Sequence, residues 1–204
     1  MKKGSLKDRL FQVGVETLEK EGWSVRRIRG IGKSSVRQIT KGGKSLKVAI
    51  RTSQDRWIAF PRDGSDKSWV TLSEVDIVLA VSVDDGDNPK FALVHFIDAG
   101  DMRRRFDRAY KARRAAGRKI PLGRGMWLPL YHPDAANPLN DVGGGAGLDY
   151  PAIARVPLHS EDSISHDLAD REQAAQVFTI AEAKRRLAAA LGVDPSSIKI
   201  TVEA

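Results

Sequence analysis

Cysteine is absent from the 204 residues of this chain, which excludes a disulfide framework, a thiolate zinc site and a cysteine nucleophile. The chain also lacks any apolar run near the roughly 20 residues that a membrane-spanning helix requires. The N-terminal residues lead into an amphipathic segment rather than into the apolar region of a signal peptide. We therefore expect a cytoplasmic protein that has no membrane partner.

Acidic residues are scarce in two blocks of the chain, although the net charge is a modest +8. Residues 1–51 contain 14 Lys/Arg and 4 Asp/Glu, and residues 101–130 contain 10 and 2. Acidic residues are in excess in the other two blocks: residues 52–100 contain 4 Lys/Arg and 9 Asp/Glu, and residues 131–204 contain 6 Lys/Arg and 11 Asp/Glu. If folding brings the basic blocks together, they form a positive face suited to a phosphate backbone. The alternative is that these long side chains only solvate helix and loop surfaces.

The length and the 41% hydrophobic content are enough for one core of ordinary size, so we expect one main domain. We place a nucleic-acid-binding core at 1–131. A Gly- and Pro-rich acidic linker follows at 132–177, where hydrophobic periodicity is weak. Residues 178–204 read as a helix followed by a strand, a unit too small for its own core, which docks on the main domain or makes a homodimer or protein contact.

Hydrophobic periodicity predicts an α/β fold with a mixed central sheet flanked by helices. The Ser45–Phe60 segment reads as a hairpin, and the β-branched run Val75–Val83 reads as a central strand buried on both faces. A glycine-containing basic loop, 30–35, is placed between strands rather than in a helix-hairpin-helix, which would need a helix ending near Ile28. The remaining predicted elements are a helix at 5–21, strands at 23–28, 91–97 and 126–131, and a helix from Ala99 to Gly117.

The helix that starts at Ala99 is the strongest basic patch in the sequence. Its apolar stripe is formed by Met102, Phe106, Ala109 and Tyr110, so most of its arginines are expected to face solvent. Few acidic residues are interleaved with them for ion pairing along the helix. The predicted nucleic-acid-binding residues are Arg26, Arg29, Lys33, Arg37, Lys44, Lys47, Arg51, Arg103, Arg104, Arg105, Arg108, Lys111, Arg113 and Arg114.

A family resemblance rests on the Ser45–Phe60 segment. Its first strand places Lys47, Ala49 and Arg51 on one face, ends in Thr-Ser, and is followed by a Trp-bearing strand. Together with the preceding glutamate-bearing helix, this pattern resembles the core of the PD-(D/E)XK nuclease superfamily. The resemblance implies a restriction-endonuclease-like core, with Glu16 as the helix acid and Arg51 at the lysine position.

Where that family carries its strand acid, this chain has Ala49. Arginine stays protonated, so Arg51 can clamp a phosphate but cannot act as a base. We therefore expect a nucleic-acid-binding protein, with DNA as the preferred ligand, whose catalysis is lost or displaced and which needs no cofactor. One alternative is an active Mg²⁺-dependent nuclease whose carboxylates have moved to Asp55, Asp76 or Glu74. The other is an interaction protein whose basic face docks an acidic partner.

Overall fold

The computed structural model describes residues 3–28, residues 35–158 and nine positions near the C-terminus. Its contacts divide the chain into two compact units, Met1–Leu158 and His159–Ala204. Within the described part of the chain, no helix is both long enough and apolar enough to cross a membrane.

A mixed six-stranded sheet is the main feature of the first unit, in agreement with the predicted α/β class. Its strand order is β1-β2-β3-β5-β6-β8. The pair β3–β5 is parallel and the other neighbouring pairs are antiparallel. The strand bounds are β1 Ser24–Arg27, β2 Val36–Lys41, β3 Lys44–Ser53, β5 Ile77–Val83, β6 Phe91–Asp98 and β8 Ala154–Pro157.

Helix α1, Lys3–Lys20, covers one face of this sheet. Leu10, Val13 and Leu18 recur at helical spacing and are fully buried in a cluster with the β3 residues Val48 and Ile50. Gly14 lets the helix approach closely, since a Cβ there would lie 2.9 Å from a methyl group of Val81. The predicted helix at 5–21 is confirmed, although in the structure it begins at Lys3.

The other face of the sheet packs against helix α2, Ala99–Ala115, and a separate two-stranded sheet of β4, Trp57–Pro61, and β7, Gly125–Pro129. Phe106 of α2 meets the rings of Phe60 and Trp69 edge-on, at centroid distances of 5.3 and 5.1 Å. Helix α2 begins as predicted, because the Asp98 side chain accepts a hydrogen bond from the Asp101 N–H.

The predicted hairpin at Ser45–Phe60 is wrong. β3 pairs with β2 and β5 in the main sheet, whereas β4 pairs with β7 in the small sheet. The physical reason is burial: β3 is apolar on both faces, and Val48, Ala49 and Ile50 are each at most 2% exposed. Such a strand is more stable in the middle of a sheet with layers on both sides.

The segment predicted as the start of the linker also differs. The first unit continues to Leu158 and includes helix α3, Ala146–Asp149, and strand β8, which pairs with β6. The glycines after Val142 permit close packing there. A Cβ on Gly143, whose φ is +80°, would lie 2.4 Å from the Arg105 carbonyl oxygen. Glycine content suggested a linker, whereas the structure uses it for contact with α2.

Little of the C-terminal unit lies among the described residues. Lys184, Leu187, Ala188 and Ala190 are helical, within the predicted helix 180–191, and the other positions of that helix lie outside the described residues. Of the predicted strand 198–202, Ile198 and Lys199 are described and are not in a strand. The predicted docking or oligomerisation role of 178–204 stays a prediction.

Candidate nucleic-acid interface

Arg51 lies near the end of β3, beyond the point where β2 still pairs with it. The β2–β3 register ends at Val36↔Ala49, with one further bond from the Ile50 N–H to the Ser35 carbonyl. The Arg51 guanidinium lies over the Phe60 ring, 4.4 Å from its centroid. Its Nε is buried and has no hydrogen-bond partner among the described residues. Burial lowers the pKa of Arg51, but an arginine remains a cation at neutral pH.

A cavity of about 330 Å³ opens beside Arg51, and its lining includes Lys7 of α1, Thr52, Trp57 and Trp127. A shallower groove of about 670 Å³ shares Lys7, Thr52 and Trp127 with it. Ligand sites commonly measure about 300–1,000 Å³. The lining combines cationic and polar side chains with two tryptophans, a combination suited to an anion that carries an aromatic group.

A second cavity of about 330 Å³ also borders Trp57 and Trp127, and its lining includes Arg113, Arg118 and Lys119. Arg113 donates from Nη2 to the Trp127 carbonyl at 2.8 Å, while its buried Nε has no partner among the described residues. Burial, and then the charge of Arg118, lower the pKa of Arg113. Each cavity therefore contains an arginine whose hydrogen-bonding capacity is incompletely used.

The outer face of the small sheet contributes Trp57 and Trp127 to both cavities. Ile58 and Phe60 point into the core, so alternation turns Trp57 and Ala59 outward. On β7, Trp127 pairs with Ala59 and is 51% exposed. Gly125 lies two residues before it on the same face. We call the outward set Trp57, Ala59, Gly125 and Trp127 the tryptophan platform.

The arginines of α2 are used differently from what the sequence suggested. Arg105 is buried: it pairs with Asp101 at 2.7 Å and with Asp149, and donates to the Gly144 carbonyl at 2.5 Å. Arg103 donates to the backbone carbonyls of Leu72 and Val75 at 2.9 and 3.2 Å. Arg105 therefore does not lie on the basic surface, because Asp101 of the same helix and Asp149 from outside it enclose its guanidinium.

Four other cations of α2 lie at the surface. Arg104 pairs with Asp101 at 3.1 Å, and Arg108 pairs with Asp134. Lys111 is exposed, and Arg114 lies 5.9 Å from the centroid of the Tyr110 ring. Intramolecular carboxylates thus partly neutralise Arg104 and Arg108.

The predicted nucleic-acid-binding cations on β1, on β2 and in the first half of β3 lie mainly at the surface. Arg26, Lys44 and Lys47 are exposed. Arg37 is half-buried, lies over the Phe11 ring at 5.0 Å and donates to the Val36 carbonyl. Arg29 and Lys33 lie outside the described residues.

The carboxylates named for metal chemistry do not come together. Glu16 pairs with Arg9 at 3.4 Å and does not line the cavity at Arg51, and Ala49 is fully buried. Asp55 accepts from Ser53 and from the Trp57 N–H, and Asp76 accepts from the Lys47 N–H. Among the described residues, no three His, Asp or Glu side chains form a group that could hold a metal ion.

The sequence pattern did not predict a buried polar network that surrounds His95. His95 Nδ1 is 2.7 Å from the Tyr150 carbonyl, which only accepts, so Nδ1 carries the proton. His95 Nε2 is 2.8 Å from the Tyr131 hydroxyl, which also contacts Ser82. Burial lowers the pKa of His95, and the bond to Tyr150 only partly opposes this shift. His95 and Ser82 are at most 2% exposed, so the network stabilises the fold and is closed to a ligand.

Sequence reasoning also missed the tryptophan platform. Met126 to Leu130 reads as a continuous apolar run, which gives no sign that Trp127 faces outward. The available signal was the Gly-Met-Trp-Leu-Pro alternation once Met126 and Leu128 are assigned to the core.

Comparisons of the chain with protein-family models, with curated proteins and with solved structures find no match.

Proposed function

We propose that this protein binds nucleic acid and does not cleave it. One observation carries the proposal: Arg51 and Arg113 each have an incompletely bonded guanidinium at a cavity, and both cavities are bordered by Trp57 and Trp127 of the tryptophan platform. A buried donor without an acceptor costs about 1–3 kcal/mol. The buried Nε itself is out of a ligand's reach, but a phosphate in the cavity would supply the counter-charge that the guanidinium lacks, and guanidinium and phosphate match in geometry.

Two cationic cavities favour a polyanion over a single small anion. Lys7 adds a charge beside Arg51, and Arg118 and Lys119 add charges beside Arg113. The two groups of cations line separate cavities that share Trp57 and Trp127, so a ligand that uses both must carry anionic groups at intervals. A nucleic-acid backbone meets this requirement.

The nuclease-like part of the proposal rests on the arrangement of β3. It is a central strand flanked by antiparallel β2 and parallel β5, with α1 packed on one face. This arrangement supports a restriction-endonuclease-like core. Ala49 in place of an acid and Arg51 in place of a lysine support the loss of cleavage.

The binding claim is tested by titrating DNA at several salt concentrations. Replacing Arg51 and Arg113 together with Met should weaken binding and make the slope of log affinity against log salt shallower. The loss of two phosphate contacts should reduce the magnitude of this slope by about 1.8 on B-form DNA and by about 1.4 on single strands. The matched control is the double change Arg104→Met and Arg108→Met, which removes two cations already paired within the protein.

The control double variant should change the slope of log affinity against log salt by clearly less than the double replacement of Arg51 and Arg113 does. Equal reductions would mean that only overall charge matters, which contradicts the site. No binding of any nucleic acid at low salt would contradict the proposal as a whole.

The absence of cleavage is tested separately, with plasmid and single-stranded DNA in Mg²⁺ and in Mn²⁺. We expect intact substrate under conditions where binding is saturated. Metal-dependent cutting that disappears in Glu16→Ala would overturn this part and assign the protein to the nucleases.

A further inference from the structure

We infer that the tryptophan platform is a base-stacking surface and that the occupant is a single-stranded polynucleotide. This inference rests on the proposed function and adds the form of the ligand. Its basis is the outer face of the β4–β7 sheet, which is separate from the cations that carry the proposal above.

The composition of this face is unusual for an antiparallel sheet that is covered on one side only. The inner residues Ile58, Phe60, Met126 and Leu128 are at most 3% exposed, so the core is complete without the outer face. Polar side chains are expected on such a solvent face. Instead it presents an indole that is 51% exposed, although exposing a large aromatic ring to water is unfavourable.

Small neighbours leave the indole of Trp127 accessible. Its cross-strand partner is Ala59, and a Cβ placed on Gly125 would lie 3.7 Å from the Trp127 Nε1. Any side chain at Gly125 would therefore begin to fill the space beside the ring. Trp57 is held in place at the side by His132, whose ring meets it edge-on at 5.6 Å. The arrangement leaves room for a flat group against Trp127.

Both cavities include Trp57 and Trp127 in their lining, so the aromatic surface continues directly into each cationic pocket. A chain that crosses the platform can stack a base on Trp127 while its phosphates reach Arg51 in one cavity and Arg113 in the other. In a duplex the flat faces of the bases are covered by their neighbours, whereas a single strand can turn a base outward. The platform therefore discriminates in favour of single strands.

The test measures the affinity of the full chain for fluorescent oligothymidylate, oligouridylate and a DNA duplex of equal length, about 16 nucleotides. Wild type should prefer the single strands. Trp127→Ala should weaken single-strand binding about 5- to 150-fold, the range that corresponds to a stacked base. Duplex affinity and the salt slope should stay unchanged, because stacking releases no counterions. Trp127→Phe should keep most of the affinity, and Leu148→Ala, which alters another half-exposed apolar residue, should have no effect.

A loss with either single strand supports the inference and identifies which nucleic acid stacks on the platform. Equal losses with single strand and duplex, or no loss in a folded Trp127→Ala protein, would overturn it while the proposed function stands. Failure of the wild type to bind any of the three probes would overturn the proposed function itself. Thermal melting of each variant shows whether it is folded, and Trp127→Phe keeps the test valid if the alanine variant is unstable.

Discussion

Arg105 on α2 and Arg51 on β3 are both withdrawn from solvent, and they differ in what surrounds their guanidinium groups. Arg105 has two carboxylates and a backbone carbonyl as partners. Arg51 has the face of the Phe60 ring and a buried Nε with no partner among the described residues. The first arrangement holds α2 to the Gly144–Asp149 region, whereas the second leaves a cation available to a ligand. Counting arginines along the sequence does not separate these two roles.

The same contrast explains why the basic helix is a weaker candidate surface than its composition suggests. Burial would raise the pKa of Asp101, and the bonds and charge of Arg105 and Arg104 lower it below its ordinary value. This carboxylate is therefore charged and bound at neutral pH. Exposed ion pairs contribute little to stability, but they place a negative charge beside cations that a phosphate would otherwise contact.

The largest change in stability is expected when Arg105 is replaced. Arg105→Ala leaves the Gly144 carbonyl and part of Asp101 without a partner, so the free energy of unfolding should fall by about 1–3 kcal/mol. Chemical denaturation monitored by circular dichroism measures this change. Nucleic-acid affinity of the folded variant should stay close to that of wild type.

Arg51→Met is the matched change at the other arginine. It removes an unsatisfied buried donor together with a contact to Phe60, so unfolding should change by less than about 1 kcal/mol in either direction. Its effect should appear in binding instead. If Arg51→Met destabilises as strongly as Arg105→Ala, Arg51 is a structural residue and the comparison fails.

A smaller, pH-dependent effect is expected at His95, whose two ring nitrogens both have partners. Its folded pKa lies below the ordinary 6.5 because of burial, so below that pH the unfolded chain takes up a proton more readily than the folded one. The contribution to stability is complete above pH 6.5 and is lost as the pH falls through and below it. The melting temperature should therefore fall as the pH is lowered from about 7 to about 5.

In His95→Gln the decline over this pH range should be shallower than in wild type, whatever the melting temperature at neutral pH. The comparison of slopes separates His95 from the other groups that titrate there. An unchanged slope would show that the Tyr131–His95–Tyr150 network does not titrate with folding, and that the pH dependence has another source.

Local pattern was enough to predict most elements of the first unit. The helical spacing of Leu10, Val13 and Leu18 predicted α1, and the β-branched run near Val78 predicted a strand buried on both faces. The change of pattern at Ala99 predicted the start of α2, and the structure has Asp98 as its cap. These features depend on neighbours within a turn or two along the chain, which is why the sequence alone reveals them.

Strand pairing and side-chain partners were decided only by the tertiary structure. β3 and β4 are consecutive in sequence, yet the burial of β3 on both faces separates them into different sheets. The acids that neutralise Arg105 and Arg108 include Asp149 and Asp134, more than 20 residues away. Trp127 faces outward because Met126 and Leu128 fill the core behind it. The sequence by itself determined most of the helices and strands before residue 131 and the basic character of the chain, because these depend on neighbouring residues, whereas long-range packing decided which cations are satisfied internally and which remain at a ligand-sized cavity.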